Sequence, residues 1–179
     1  MPVVFCSAEE FLRKEVLSEL ELGPTNSLSC SRYDQKDWET TGQELCDIHR
    51  QVFWGREWDS EYLSEVINTS GGVCFILSPA EESGAVGYTI ACPTRDSDSA
   101  YIAYTAIRPE FQGRGHVATL MDALEAELKS QGYKFIERHC VCDNGYDLIV
   151  ERHYGDRIVD QEESYDDVIG YQRYFRIRL

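Results

Sequence analysis

Ile107-Arg108-Pro109-Glu110-Phe111-Gln112-Gly113-Arg114-Gly115-His116-Val117-Ala118 reads as the end of a strand, a glycine turn and the start of a helix. Pro109 stops the strand, since it has no N–H for the ladder. From about Gly115 to Gln131, Val117, Leu120, Met121, Leu124 and Leu128 recur on one face, with Glu125 four residues before Lys129 on the other. The first turn of a helix carries unpaired amides and the positive end of the helix dipole. Two glycines let that backbone approach an anion with no Cβ in the way. Gly113, Arg114, Gly115, His116 and Val117 would supply the donors, with the Arg114 and His116 side chains able to add charge. A pyrophosphate is the natural guest. A nucleotide-hydrolysing loop needs Lys-Ser/Thr after its glycines and a dinucleotide loop needs a third glycine, and neither is present. The bland alternative is a tight strand-to-helix turn with no ligand.

Working outward, the strand feeding this turn runs from Ala100 to Ile107. Before it, Val73-Cys74-Phe75-Ile76-Leu77 is an apolar run short enough for a strand buried on both faces, and a turn from Ser78 to Gly84 returns it as a hairpin through Ala85 to Cys92. Earlier still lie a strand from Leu28 to Tyr33, a helix from Thr41 to Trp54 with Leu45, Ile48 and Val52 on one face, and a shorter helix carrying Tyr62, Leu63, Val66 and Ile67. After the central helix come a strand from Phe135 to Val141, a helix from Asn144 to Tyr154, and strands from Ile158 to about Gln161 and from Tyr171 to Arg178. The order gives an α+β fold around one mixed, mostly antiparallel sheet flanked by helices. Residues 1–27 read as an N-terminal helical extension, with Ser7 and Glu10 placed for a capping box, and Gly23-Pro24-Thr25-Asn26-Ser27 separates it from the 28–179 domain.

The chain's 179 residues suit one such domain. Its 32 acidic against 17 basic side chains, a formal net charge of -15, argue against nucleic acid and fit either a cationic partner or simple solubility. Arg173 to Arg178 alternates and reads as a strand with a basic face. The seven cysteines are scattered without a Cys-x-x-Cys pair, which suggests a reducing compartment. No signal peptide or membrane span is evident, so the expectation is a cytoplasmic protein, monomeric or homodimeric, with no membrane partner. His139-Cys140-Val141-Cys142 invites a metal, yet strand alternation sets His139 opposite the cysteines, so none is expected.

The segment from Gln112 to Gly115 resembles the coenzyme A loop of the GNAT superfamily of acyl-CoA N-acyltransferases, Gln/Arg-x-x-Gly-x-Gly/Ala, with Val117 departing at the last position. The likeness extends over most of 28–179. Tyr104 to Glu110 resembles the family's fourth strand and its exit. Asn144 is similar to the Asn that contacts the pantetheine arm, and Gly155 stands where the family has Gly-Phe, with Asp156 in place of the Phe. The resemblance implies a GNAT fold, acetyl-CoA as acyl donor, and direct attack of a primary amine on the thioester in a ternary complex. Stripping an alkylammonium of pKa ~10.4 costs about 4 kcal/mol near neutral pH, so a base helps. Backbone amides of Thr105, Ala106 and Ile107 would meet the oxyanion. Where relatives carry a Tyr to protonate the departing thiolate this chain has Glu151, and Tyr154 lies one turn further on. These are the candidate catalytic residues, with Glu137 a weaker one. Trp54, Glu57 and Trp58 would border the acceptor site, and the acidic run from Asp160 to Asp167, read as a loop, would attract a cationic acceptor. The alternative is a GNAT-fold module that binds coenzyme A without catalysis.

Overall fold

The computed structural model describes residues 28–34, 36, 38–53, 60–80, 84–167 and 169–179. The expected N-terminal helix lies outside the described residues, as do Trp54, Glu57 and Trp58. The elements are β1 (Leu28–Arg32), α1 (Trp38–Val52), α2 (Ser60–Ile67), β2 (Val73–Pro79), β3 (Gly87–Pro93), β4 (Ser99–Ile107), α3 (His116–Ser130), β5 (Phe135–Val141), α4 (Tyr146–Tyr154), β6 (Ile158–Asp166) and β7 (Gly170–Arg178). The described strands form one sheet in the order β1-β2-β3-β4-β5-β7-β6. Every neighbour is antiparallel except β4 and β5, which α3 connects as a crossover.

Hydrophobic periodicity fixes which helix covers which face. Leu124 and Leu128 of α3, with Val150 and Tyr154 of α4, pack on Ala100, Ile102, Ile136, Cys140, Phe175 and Ile177. On the opposite face Leu45 and Ile48 of α1 and Leu63 and Ile67 of α2 cover Cys74, Ile76, Tyr88, Ile90 and Ala106. Leu124 is fully buried, and truncating such a leucine to alanine costs about 2–5 kcal/mol.

One irregularity shapes the centre of the sheet. Ile90 pairs with Tyr104 but Ala91 pairs with Ile102, so Ala103 is an extra residue on β4. Such a bulge bends its strand and reverses the alternation beyond it. Ile102 therefore packs with α3, whereas Tyr104 and Ala106 face α1 and α2. The β4–β5 ladder holds only from Ser99↔Phe135 to Tyr101↔Glu137, and beyond it the two strands run on without pairing to each other.

Three expectations need correction. The acidic run after Asp160 is strand, since β6 continues to Asp166. Asp and Glu are poor strand formers, but β7 sets Arg176 across from Asp160 and Arg173 across from Glu163. Arg173 to Arg178 does not make one basic face: Arg173 lies on the α4 side and bonds Glu151, while Arg176 is on the other side with Asp96 and Glu137. Glu125 is buried rather than solvated, because Arg157 reaches it from beyond α4 at 2.7 Å.

Candidate active site

Gly113 and Gly115 adopt φ of 72° and 74°, the left-handed region that other residues enter at a cost. Gly115 caps α3 with no side-chain hydrogen bond, and no acidic residue lies in the helix's first turn. A Cβ at Gly115 would meet nothing within 4 Å, so the surface over the helix start is open. This is the backbone geometry of an anion nest. Gln112 donates Nε2 to the Ile107 carbonyl at 2.7 Å, tying the turn to the end of β4 instead of reaching outward. Burial, then the neighbouring Arg114 charge, pushes the His116 imidazole down. At neutral pH Arg114, which is exposed, therefore carries the side-chain charge of the turn. Val117 packs against the core.

Where β4 and β5 part, consecutive β5 residues address opposite faces. Arg138 points to the α3–α4 side, 4 % exposed, and donates Nη2 to the Tyr146 hydroxyl at 3.1 Å. Its guanidinium lies 4.9 Å from the centroid of that ring. His139 points to the α1–α2 side, where its Nδ1 lies 3.0 Å from the Tyr101 hydroxyl across the gap. Burial lowers the His139 pKa and the Glu137 charge partly restores it, which favours the neutral ring. Tyr174, its cross-strand partner, is pushed up to about 12 by burial and the Glu137 carboxylate. His139, Tyr174, Glu162 and Ser164 line a cavity of about 270 Å³ on this face. The nest thus follows the end of β4, while the cavity lies over β5, β7 and β6 on the far side of the break.

A model of the acetyltransferase (GNAT) family matches residues 34–147. The chain belongs to the GNAT acetyltransferases. Solved structures with the same fold include Ard1 from Thermoplasma volcanium, 15% identical with a TM-score of 0.66 over 85% of this chain and 97% of that one. Arabidopsis thaliana NAA60, crystallised with a bisubstrate analogue, is 14% identical with a TM-score of 0.66 over 86% and 99%. A GNAT acetyltransferase from Elizabethkingia anophelis with acetyl-CoA bound is 16% identical with a TM-score of 0.60 over 85% and 98%. No curated protein sequence matches the chain.

As a GNAT protein the chain distributes its expected site residues unevenly. Ala106 and Ile107 are buried beside the open edge of β4, and the Thr105 hydroxyl shares a 2.9 Å hydrogen bond with Thr89. Asn144 ends the short 3-10 turn Cys142–Asn144 that leads into α4. Its side chain lies outside the described part of the structure. Glu151 is held by Arg173. Tyr154 is 3 % exposed within the α3–α4 core, and Arg157 stacks over its ring at 5.1 Å. Glu137 lies 3.5 Å from Arg176. Among the described residues no helix is long and apolar enough to cross a membrane.

Sequence reasoning weighed His139 only as a metal ligand and did not single out Tyr101 or Arg138. Strand periodicity put His139 and Glu137 on one face, but only the tertiary fold brings Tyr101 against them.

Proposed function

We propose that this GNAT protein transfers an acetyl group from acetyl-CoA to a primary amine of a cationic small molecule or peptide, by direct attack in a ternary complex. The observation that carries the reading is the break between β4 and β5, with the glycine turn following β4 and His139 of β5 lining a cavity on the other strand's side. Amides of Gly113 to Val117, with Arg114, hold the diphosphate of the donor, and the Asn144 segment borders its pantetheine arm. Amides along Thr105 to Ile107 meet the thioester oxygen as it gains charge.

His139 takes the role of base. With Nδ1–H donating to Tyr101, Nε2 is the atom that accepts the acceptor's proton, and Glu162 on the cavity wall favours an ammonium ion over a neutral ligand. The amine then forms its C–N bond as the C–S bond breaks. Tyr146, its hydroxyl held by buried Arg138, is the phenol we assign to return a proton to the departing sulfur. Glu151 and Tyr154 keep structural parts, one ion-paired and one in the core.

The test is release of free thiol from acetyl-CoA in the presence of a polyamine, an aminoglycoside and a lysine-bearing peptide, with the acceptor gaining one acetyl group. Release above the rate of hydrolysis supports the reading, and Tyr146→Phe should lower kcat with KM little changed. Tight acetyl-CoA binding with no release for any amine would favour the non-catalytic alternative.

A further inference from the structure

The β6 edge is the part of the molecule that acyl transfer leaves unexplained. Its nine residues, Ile158 to Asp166, form the last strand of the sheet, and among the described residues no strand pairs with its outer side. All but the first residue are exposed. Such an edge presents a row of backbone donors and acceptors to any extended chain, and proteins normally blunt it. Here the blunting is one-sided, because Asp160, Glu162, Glu163 and Asp166 are all acidic. Pairing with a second copy would lay these carboxylates against each other in a protein whose net charge is already -15. At the hairpin end Tyr165 and Tyr171, each 62% exposed, stack edge to face at 5.0 Å. Exposed tyrosine faces beside carboxylates suit guanidinium groups.

We infer that the outer edge of β6 adds a strand from a basic, arginine-bearing extended segment of another protein. Main-chain hydrogen bonds to β6 give the affinity, and the acidic side chains with the tyrosine pair choose the partner. The same charges that reject a second copy accept this occupant. The inference does not depend on acyl transfer.

The probe is a peptide as long as β6, alternating arginine with valine or threonine and blocked at both ends, so that it carries no primary amine to acetylate. Saturable binding to the full chain is expected by fluorescence anisotropy at low salt. Methylating every backbone nitrogen of the peptide, which keeps its charge and removes its donors, should weaken binding at least about tenfold. The Asp160→Asn, Glu163→Gln double variant should do the same while keeping a cooperative thermal melt, since both side chains are exposed. Equal binding of the methylated peptide would reduce the contact to charge alone and overturn the inference. So would the absence of saturable binding, or sedimentation showing a dimer that shuts the peptide out. A chain that binds the peptide yet releases no thiol would sink the acyltransfer reading and leave this one standing.

Discussion

Arg173 grips Glu151 with both terminal nitrogens, Nη1 at 2.8 Å and Nη2 at 2.9 Å, and so fastens α4 to β7. Both oxygens of the carboxylate are thereby taken up in charge-assisted hydrogen bonds, which makes it a structural tie. The pair is partly exposed, Glu151 by 43%, so its contribution to stability is about 1 kcal/mol or less. Glu151→Gln should lower Tm by about 2–4 °C at most and leave kcat within about threefold. A loss of about a hundredfold in steady-state turnover would return Glu151 to the chemistry.

His139→Gln should instead cut kcat/KM by about a hundredfold or more, the usual worth of a positioned base. Because burial lowers the His139 pKa below its ordinary value of ~6.5, the wild-type rate should climb with pH through a limb below that value and then flatten. The variant should lack this limb. A pH profile of kcat/KM that keeps the limb after the substitution would assign it to another group.

How much of this was legible depends on whether a residue's role is set locally. The glycine turn, α3 and the α3-facing side of β5 follow from spacing and apolar period, which act within a few residues. Asn144 was placed between strand and helix for the same reason. By contrast, Glu125 and Lys129 looked like a solvated i,i+4 pair, and only Arg157, brought alongside by the end of α4, makes burial of that carboxylate affordable. The acidic β6 looked like loop because intrinsic preference argued against strand, and the arginines of β7 overrode it. Arg138 breaks the apolar side of β5's alternation, a signal present in the sequence, but its partner Tyr146 arrives by way of the turn into α4.

Gly115→Ala tests the nest. Its Cβ has room within the protein, so the cost to the free chain is only the left-handed backbone, about 1–2 kcal/mol. The added methyl projects where an anion would approach. Thermal melts should show a modest fall in Tm without ligand, and most of the stabilisation by acetyl-CoA should vanish. For the wild type that stabilisation is about 2.7 kcal/mol at a hundredfold excess over Kd. An undiminished ligand-induced shift would mean that the diphosphate is held elsewhere.

Acid should loosen the fold earlier than the carboxylates alone would. His116 and His139 both have folded pKa values lowered mainly by burial, so the neutral ring is the form that folding prefers. Their contribution is complete above the unfolded value of ~6.5 and is lost as pH falls through the lower folded values. The lowered carboxyls of Asp34 and Asp96 act only further down, below ~3.9. Tm should therefore begin to fall below pH 6.5, and His139→Gln should flatten part of that decline.

Tyr154 separates a core role from a catalytic one. Its hydroxyl is buried with no hydrogen-bond partner in good geometry, and burial followed by the Glu125 charge raises the phenol's pKa, making it a poorer acid. Removing the hydroxyl gives up its contact with the Glu125 carboxylate but relieves its desolvation, so Tyr154→Phe should stay within about 1 kcal/mol of wild-type stability. The ring that Arg157 covers is retained. Tyr154→Ala removes that ring from the α3–α4 core and should cost about 3–5 kcal/mol. Thiol release by the Phe variant should match wild type at saturating acetyl-CoA. If kcat instead fell about a hundredfold with an intact melt, a proton on this oxygen would be reaching the sulfur, and α4 would have to open for it to do so.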